Sequence, residues 1–189
     1  KEPETKYEKL FKGKTVKTAK GLITLHQVGK KLYFEYPLSL LGREFLLGTT
    51  FVETSDNGNG AVGQMINDPL HIAFTLRDST LQMHEVTRKW GTNPMLTDSS
   101  EEGVQKAVHV STLPPIRYAF KVETYNPDST AVVVDMTDFF LKQNNDLTPF
   151  AVEGKRVAEL GDAQRDVKLK EELTRLDDIK AFEDNISII

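Results

Sequence analysis

Leu70-His71-Ile72-Ala73-Phe74-Thr75-Leu76-Arg77-Asp78-Ser79-Thr80-Leu81-Gln82-Met83 alternates more cleanly than any other part of this 189-residue chain. Leu70, Ile72, Phe74 and Leu76 fall on one side; His71, Ala73, Thr75 and Arg77 fall on the other. Successive side chains of a strand point to opposite faces, so a period of two predicts a strand with one face buried. Asp78-Ser79 predicts a turn, and Leu81 and Met83 return to the same apolar face. The segment from Leu70 to Arg88 therefore reads as a half-buried hairpin.

The same pattern recurs on both sides. Leu22 to Val28 is apolar and β-branched, Gly29-Lys30 is a turn, and Lys31 to Tyr36 puts Leu32, Phe34 and Tyr36 on one face. Pro37 ends that hairpin because proline cannot donate to a ladder. Ser39-Leu40-Leu41-Gly42 predicts one helical turn closed by glycine, and Glu44 to Thr54 a long strand. Further on, Ile116, Tyr118, Phe120 and Val122 alternate with polar neighbours, Asn126-Pro127-Asp128 turns, and Thr130 to Met136 returns. Val104 to Val110 reads as a weak strand, and Lys89 to Gly103, with the lone tryptophan Trp90, as irregular. Thr137 is expected to cap a short helix through Leu141. Leu173, Leu176, Ile179 and Phe182 keep helical spacing and predict an amphipathic helix, and Ile186-Ser187-Ile188-Ile189 looks like the start of another strand. The expected class is mainly β, a β-sandwich or half-barrel of antiparallel hairpins with one or two short helices, the main one near the C-terminus.

Two segments are expected: a lysine-rich lead-in, residues 1–20, and a β-rich accessory domain, residues 21–189, cut short at its C-terminal end. The lead-in reads as solvated, with Tyr7, Leu10 and Phe11 available to dock one helical turn. Formal net charge is −4, from 24 basic and 28 acidic side chains, which calls for neither nucleic acid nor an anionic membrane. No apolar run nears the roughly 18 residues of a membrane span. The absence of cysteine excludes disulfides, thiolate metal sites and cysteine nucleophiles.

No catalytic, cofactor-binding or metal-binding residue is assigned. The four histidines, His26, His71, His84 and His109, sit in different predicted strands. His84-Glu85 lacks the second histidine that a zincin helix needs four residues on, where Arg88 stands instead. No Gly-x-Ser-x-Gly elbow occurs. Gly58-Asn59-Gly60-Ala61-Val62-Gly63 matches a dinucleotide fingerprint in letters only, because a strand and no helix follows it. Asp56, Asn57, Asn59 and Asp68 supply oxygen ligands without the spacing of an EF-hand. Asp135 and Asp138 are read as a strand end and a helix start rather than an acid–base pair. Trp90, Tyr33, Tyr118 and Tyr125 suit core and interface roles better than a sugar platform.

Several segments together resemble a known family: Lys20 to His26, Leu32 to Pro37, Ser39 to Leu47, Ala61 to Gln64, Val133 to Leu141 and Ile179 to Asn185. They look like the N-terminal regions of large zinc-dependent, metzincin-like metalloproteases of Bacteroidetes. In those proteins a short leader and a β-rich domain of unknown function precede the catalytic domain. The resemblance implies a non-catalytic accessory domain, scaffold or propeptide-like, of an exported protease. No cofactor is expected in this segment; zinc would lie in the downstream catalytic domain, which would also be its partner beside a peptide or protein substrate. A periplasmic, outer-membrane or extracellular location is likewise implied. The rival expectation is a free-standing carbohydrate- or protein-binding β-sandwich of a bacterial cell surface.

Overall fold

The fold is that of a computed structural model, which describes residues 4–53, 61–65, 67–86, 114–144, 146–147 and 171–189. Ten strands appear among them: β1 (Val16–Ala19), β2 (Thr24–Val28), β3 (Lys31–Pro37), β4 (Glu44–Leu47), β5 (Leu70–Arg77), β6 (Thr80–Glu85), β7 (Ile116–Tyr125), β8 (Ala131–Asp135), β9 (Ile179–Ala181) and β10 (Ile186–Ile188). Two short helices, α1 (Lys6–Phe11) and α2 (Thr137–Leu141), accompany them. The protein is mainly β. Eight strands form one antiparallel sheet in the order β1-β2-β3-β8-β7-β6-β5-β4, curled into a half-barrel, and β9 and β10 form a separate hairpin.

Turn chemistry sets the registers. Asp78 and Ser79 both take positive φ, 49° and 58°, as the two centres of a type I′ turn do. Arg77 then faces Thr80, and Phe74 faces Met83. Gly29 at φ 60° closes β2 onto β3 with Val28 opposite Lys31. The predicted faces follow: Leu32, Phe34, Tyr36, Ile72, Phe74, Leu81 and Met83 are buried in one core with Leu25, Val132 and Val134. Burying a side chain of this size contributes roughly 1.5–3 kcal/mol, so a one-residue slip, which would expose every member of a strand's set, is strongly disfavoured.

After β3 a single 3₁₀ turn, Leu38–Leu40, leads to Gly42, whose N–H bonds to Phe74 O at 2.9 Å. The chain thus crosses from β3 to the far edge of the sheet, where β4 pairs with β5. The crossing is short because the sheet is curled, and the Tyr36 and Phe74 rings lie 5.0 Å apart across the interior. The glycine-closed turn was expected; the long strand from Glu44 to Thr54 was not found. β4 ends at Leu47, and beyond it only a bridge between Thr50 and Met65 continues the pairing among the described residues.

Three expectations are corrected. From residue 4 the lead-in docks a short helical segment through Tyr7 and Phe11, as expected, but it is more than a solvated segment. A capping box between Thr5 and Glu8 starts α1, Phe11 packs on His26 and Tyr33, and β1 extends the sheet beside β2. Thr137 does not cap α2 but is its first residue. Its N–H donates to Asp135 Oδ1 at 3.0 Å, and its hydroxyl accepts from Leu32 N at 2.9 Å. The C-terminal amphipathic helix is not formed over residues 171–184: a 3₁₀ turn at Glu171–Leu173 gives way to extended chain and β9. Leu176 and Ile179 are buried whereas Leu173 is 71% and Phe182 51% exposed, so the four residues never shared a face. Ile179 and Ala181 instead face Ile188 and Ile186 across the β9–β10 hairpin.

Candidate functional site

Polar groups concentrate on the outer face of β2 and β3, beneath α1. The two-residue turn after Val28 places His26 diagonal to Glu35 on that face. His26 Nε2 lies 3.0 Å from Glu35 Oε2, and His26 Nδ1 lies 2.9 Å from Thr18 Oγ1 on β1. The Tyr7 hydroxyl of α1 donates to the same Glu35 oxygen at 2.9 Å, and Asn126 Nδ2 donates to Oε1 at 3.1 Å. His26 is 6% exposed. Burial, then the bond to Glu35 and its charge, push the Tyr7 hydroxyl up to about 12.

Thr18, His26 and Glu35 thus form a hydroxyl–imidazole–carboxylate chain. Nucleophilic catalysis needs, besides that chain, a cavity at the hydroxyl and donors for a developing oxyanion. Thr18 lines neither of the two grooves described for the surface, and Phe11 packs on the imidazole. The chain works as a cross-strand brace that pins α1 and the β7–β8 turn to β3.

The other histidines are separately engaged. His71 Nε2 lies 2.7 Å from Glu44 Oε2, tying β5 to β4. His84 Nε2 lies 2.8 Å from Thr75 Oγ1, and its Nδ1 3.0 Å from Pro114 O. His109 lies outside the described residues, as do Asp56, Asn57, Asn59, Gly58, Gly60, Arg88, Trp90 and the segment from Val104 to Val110. Among the described residues no three His, Cys, Asp or Glu side chains converge so as to hold a metal ion.

The larger groove, about 790 Å³, runs between β7 and α2. Its floor is aromatic: Phe139 meets Tyr118 and Phe120 edge-on, with centroids 4.9 and 5.6 Å away. The Tyr118 hydroxyl lies 2.8 Å from both Asn144 Oδ1 and Asp146 Oδ2, which share its single proton, and Arg117 pairs with Asp146. Burial, then the bond to Asp146 and its charge, raise the Tyr118 hydroxyl to about 12. Asp135 and Asp138 both line this groove without acting on each other. Burial works against the Asp135 carboxylate, but the Thr137 hydroxyl and N–H and the Lys31 ammonium outweigh it and hold its pKa below the ordinary value. Asp138 pairs with Lys142 one turn on. The tyrosines do not build one platform: Tyr33 packs beneath Phe11 and Tyr118 beside Phe139.

Residues 63–189 match the family model described as "Domain of unknown function (DUF5117)". The chain belongs to the DUF5117 family. The DUF5117 match begins at the bridge before β5 and takes in β5 to β10, with the groove and α2. Residues 4–54 match a second model, "Domain of unknown function (DUF5118)", which takes in α1 and β1 to β4. No curated protein and no solved structure matches the chain. Glu35 and His26, the hub residues, therefore lie in the DUF5118 segment, and Asn126 in DUF5117. In the sequence Glu35 is an unremarked polar residue between the apolar Phe34 and Tyr36 of β3. The two-residue turn, which sets Thr24 opposite Glu35 and His26 opposite Tyr33, was the available signal.

Proposed function

We propose that this chain is a non-catalytic N-terminal accessory domain, scaffold in character, of an exported zinc-dependent metalloprotease whose catalytic domain lies downstream. The observation that carries the reading is how the polar side chains are used. His26, His71 and His84, and the carboxylates Glu35, Glu44 and Asp135, are each committed to bonds that brace strands. The interior is filled by the chain's own apolar side chains. A scaffold also needs a face for its partner. Leu46, Val52, Val62 and Met65, all at least half exposed, lie along β4 and the bridge beyond it, and apolar groups gathered at a sheet edge suit packing against another domain. The segment resemblances, Val133 to Leu141 among them, support the protease parent, its zinc and its export.

The first test is the reading frame downstream: a His-Glu-x-x-His motif on a helix is expected, and its absence ends the proposal. The second compares the full-length protein with one lacking residues 4–189. A scaffold predicts an insoluble or inactive catalytic domain after removal. A gain in peptidase activity would point instead to a propeptide-like cover, and unchanged activity and yield would reject both roles. The aromatic floor of the groove favours one rival, a saccharide-binding module. Binding to a panel of soluble oligosaccharides that is lost in Tyr118→Ala but kept in Tyr118→Phe would promote it.

A further inference from the structure

The two family models divide the chain between residues 54 and 63, but the sheet does not respect that division. Strands β5 to β8, all from the second segment, run as a meander whose two outer edges are β5 and β8. Both edges are covered by strands of the first segment. On one side β3 pairs with β8, from Tyr33 opposite Asp135 to Pro37 opposite Ala131. On the other side β4 pairs with β5, from Glu44 opposite Ala73 to Leu47 opposite Leu70. The first segment thus reaches around the second and holds it from both flanks.

We infer that residues 4–54 and 63–189 are one cooperative folding unit, in which the first segment is the obligate edge partner of the second. The inference is independent of the protease reading. Without β3, the strand β8 would present an unpaired ladder edge together with Val132, Val133 and Val134, all fully buried, a combination that invites aggregation. Without the second segment, Leu32, Phe34 and Tyr36 lose the partners that bury them. The core joins both sides: Tyr36 meets Phe74, and Phe34 meets Phe140 at 5.8 Å. Polar bonds cross as well, from Leu32 N to Thr137 Oγ1, Met136 N to Leu32 O, and Asn126 to Glu35. At the boundary itself Phe51 N bonds to Gln64 O at 3.1 Å and Gly63 N to Phe51 O at 2.8 Å. Two independent domains joined by a linker would show a polar, sparsely bonded boundary; this one is a continuous ladder and a shared core.

The test uses the full chain with a specific protease site introduced between residues 54 and 60, purified intact and then nicked. The expected result is that both pieces elute together at the size of the uncut chain, or, if they part, that both lose their strand signal. The uncut chain should unfold in one transition, with amides of β3 and β8 exchanging at the same rate limit. Phe34→Ala, read in the full chain, should speed exchange in β8 at least tenfold as well as in β3. Either piece keeping its strand signal and protected amides after separation would overturn the inference, as would two separable transitions in the uncut chain or exchange in β8 untouched by Phe34→Ala.

Discussion

Glu35 is the residue on which most of the outer face depends. Three donors reach its carboxylate, from Tyr7, His26 and Asn126, and its side chain is 16% exposed. Removing an acceptor strands buried donors, which costs more than the bonds themselves contribute. Glu35→Ala should therefore lower stability by roughly 2–4 kcal/mol, measured by urea denaturation, while Glu35→Gln, which keeps one acceptor oxygen, should cost clearly less. The tyrosines carry a pH dependence. Tyr7 and Tyr118 are both held up at about 12 against an ordinary value of 10.0. Between those values the unfolded chain releases protons that the folded chain keeps, so stability is intact below about pH 10 and declines as pH rises toward 12. The double variant Tyr7→Phe, Tyr118→Phe should lessen that decline when urea midpoints are followed across the window, leaving the part due to the buried Tyr36 hydroxyl, which is held higher still. An equally steep decline in the double variant would show that other groups cause it.

Among the elements, α1 depends on tertiary contact beyond its local capping box. Six residues are too few for a stable helix in water, and none is fully buried. Phe11 on His26 and Tyr33, and Tyr7 on Glu35, are what retain it. Phe11→Ala should release the helix at a cost of roughly 1–2 kcal/mol, seen as faster amide exchange that is largest over residues 6–12. The β5–β6 turn can be improved instead. Asp78 and Ser79 both sit in the left-handed region, where a side chain is disfavoured by about 1 kcal/mol relative to glycine. Ser79→Gly should thus raise stability by about 0.5–1 kcal/mol, read as a higher thermal midpoint; a lowered midpoint would mean that the Ser79 side chain is needed. At this scale the hairpins β2–β3 and β5–β6 were legible because their turns are two residues long and their alternation is strict. Ile186 to Ile189 reads as strand and forms β10, but the stretch that holds β9 was misread as helix. Leu173, Leu176, Ile179 and Phe182 are three residues apart, a spacing read there as helical, and only the pairing of Ile179 with Ile188 decides the matter.

At the scale of the whole molecule, the β9–β10 hairpin closes the sheet at β1 and β2. Leu22 N bonds to Phe182 O at 2.6 Å, Gln27 reaches Leu176 O, and Lys17 pairs with Asp178. The backbone of β9 lies so close to Gly21 that a Cβ there would fall inside contact distance of the Phe182 carbonyl oxygen and the Ala181 carbonyl carbon. Only glycine admits this approach. Gly21→Ala should push the hairpin away and cost about 1–3 kcal/mol, with faster exchange at Ile179 and Phe182 and a lower thermal midpoint. An unchanged midpoint would mean that the hairpin does not rest on β2 in solution.

The sequence by itself determined what depends on near neighbours: the faces of the strands, the two-residue turns and the turn after Pro37. It also made the diagonal placement of His26 and Glu35 derivable, because the turn at Gly29-Lys30 sets the register. Only the tertiary structure decided that β3 pairs with β8, that β4 crosses to the far edge, and that Glu35 collects Tyr7 and Asn126. These contacts join residues dozens of positions apart, such as Tyr33 with Asp135 and Tyr7 with Glu35. No local pattern records them, since they follow from which apolar faces bury one another once the sheet has curled.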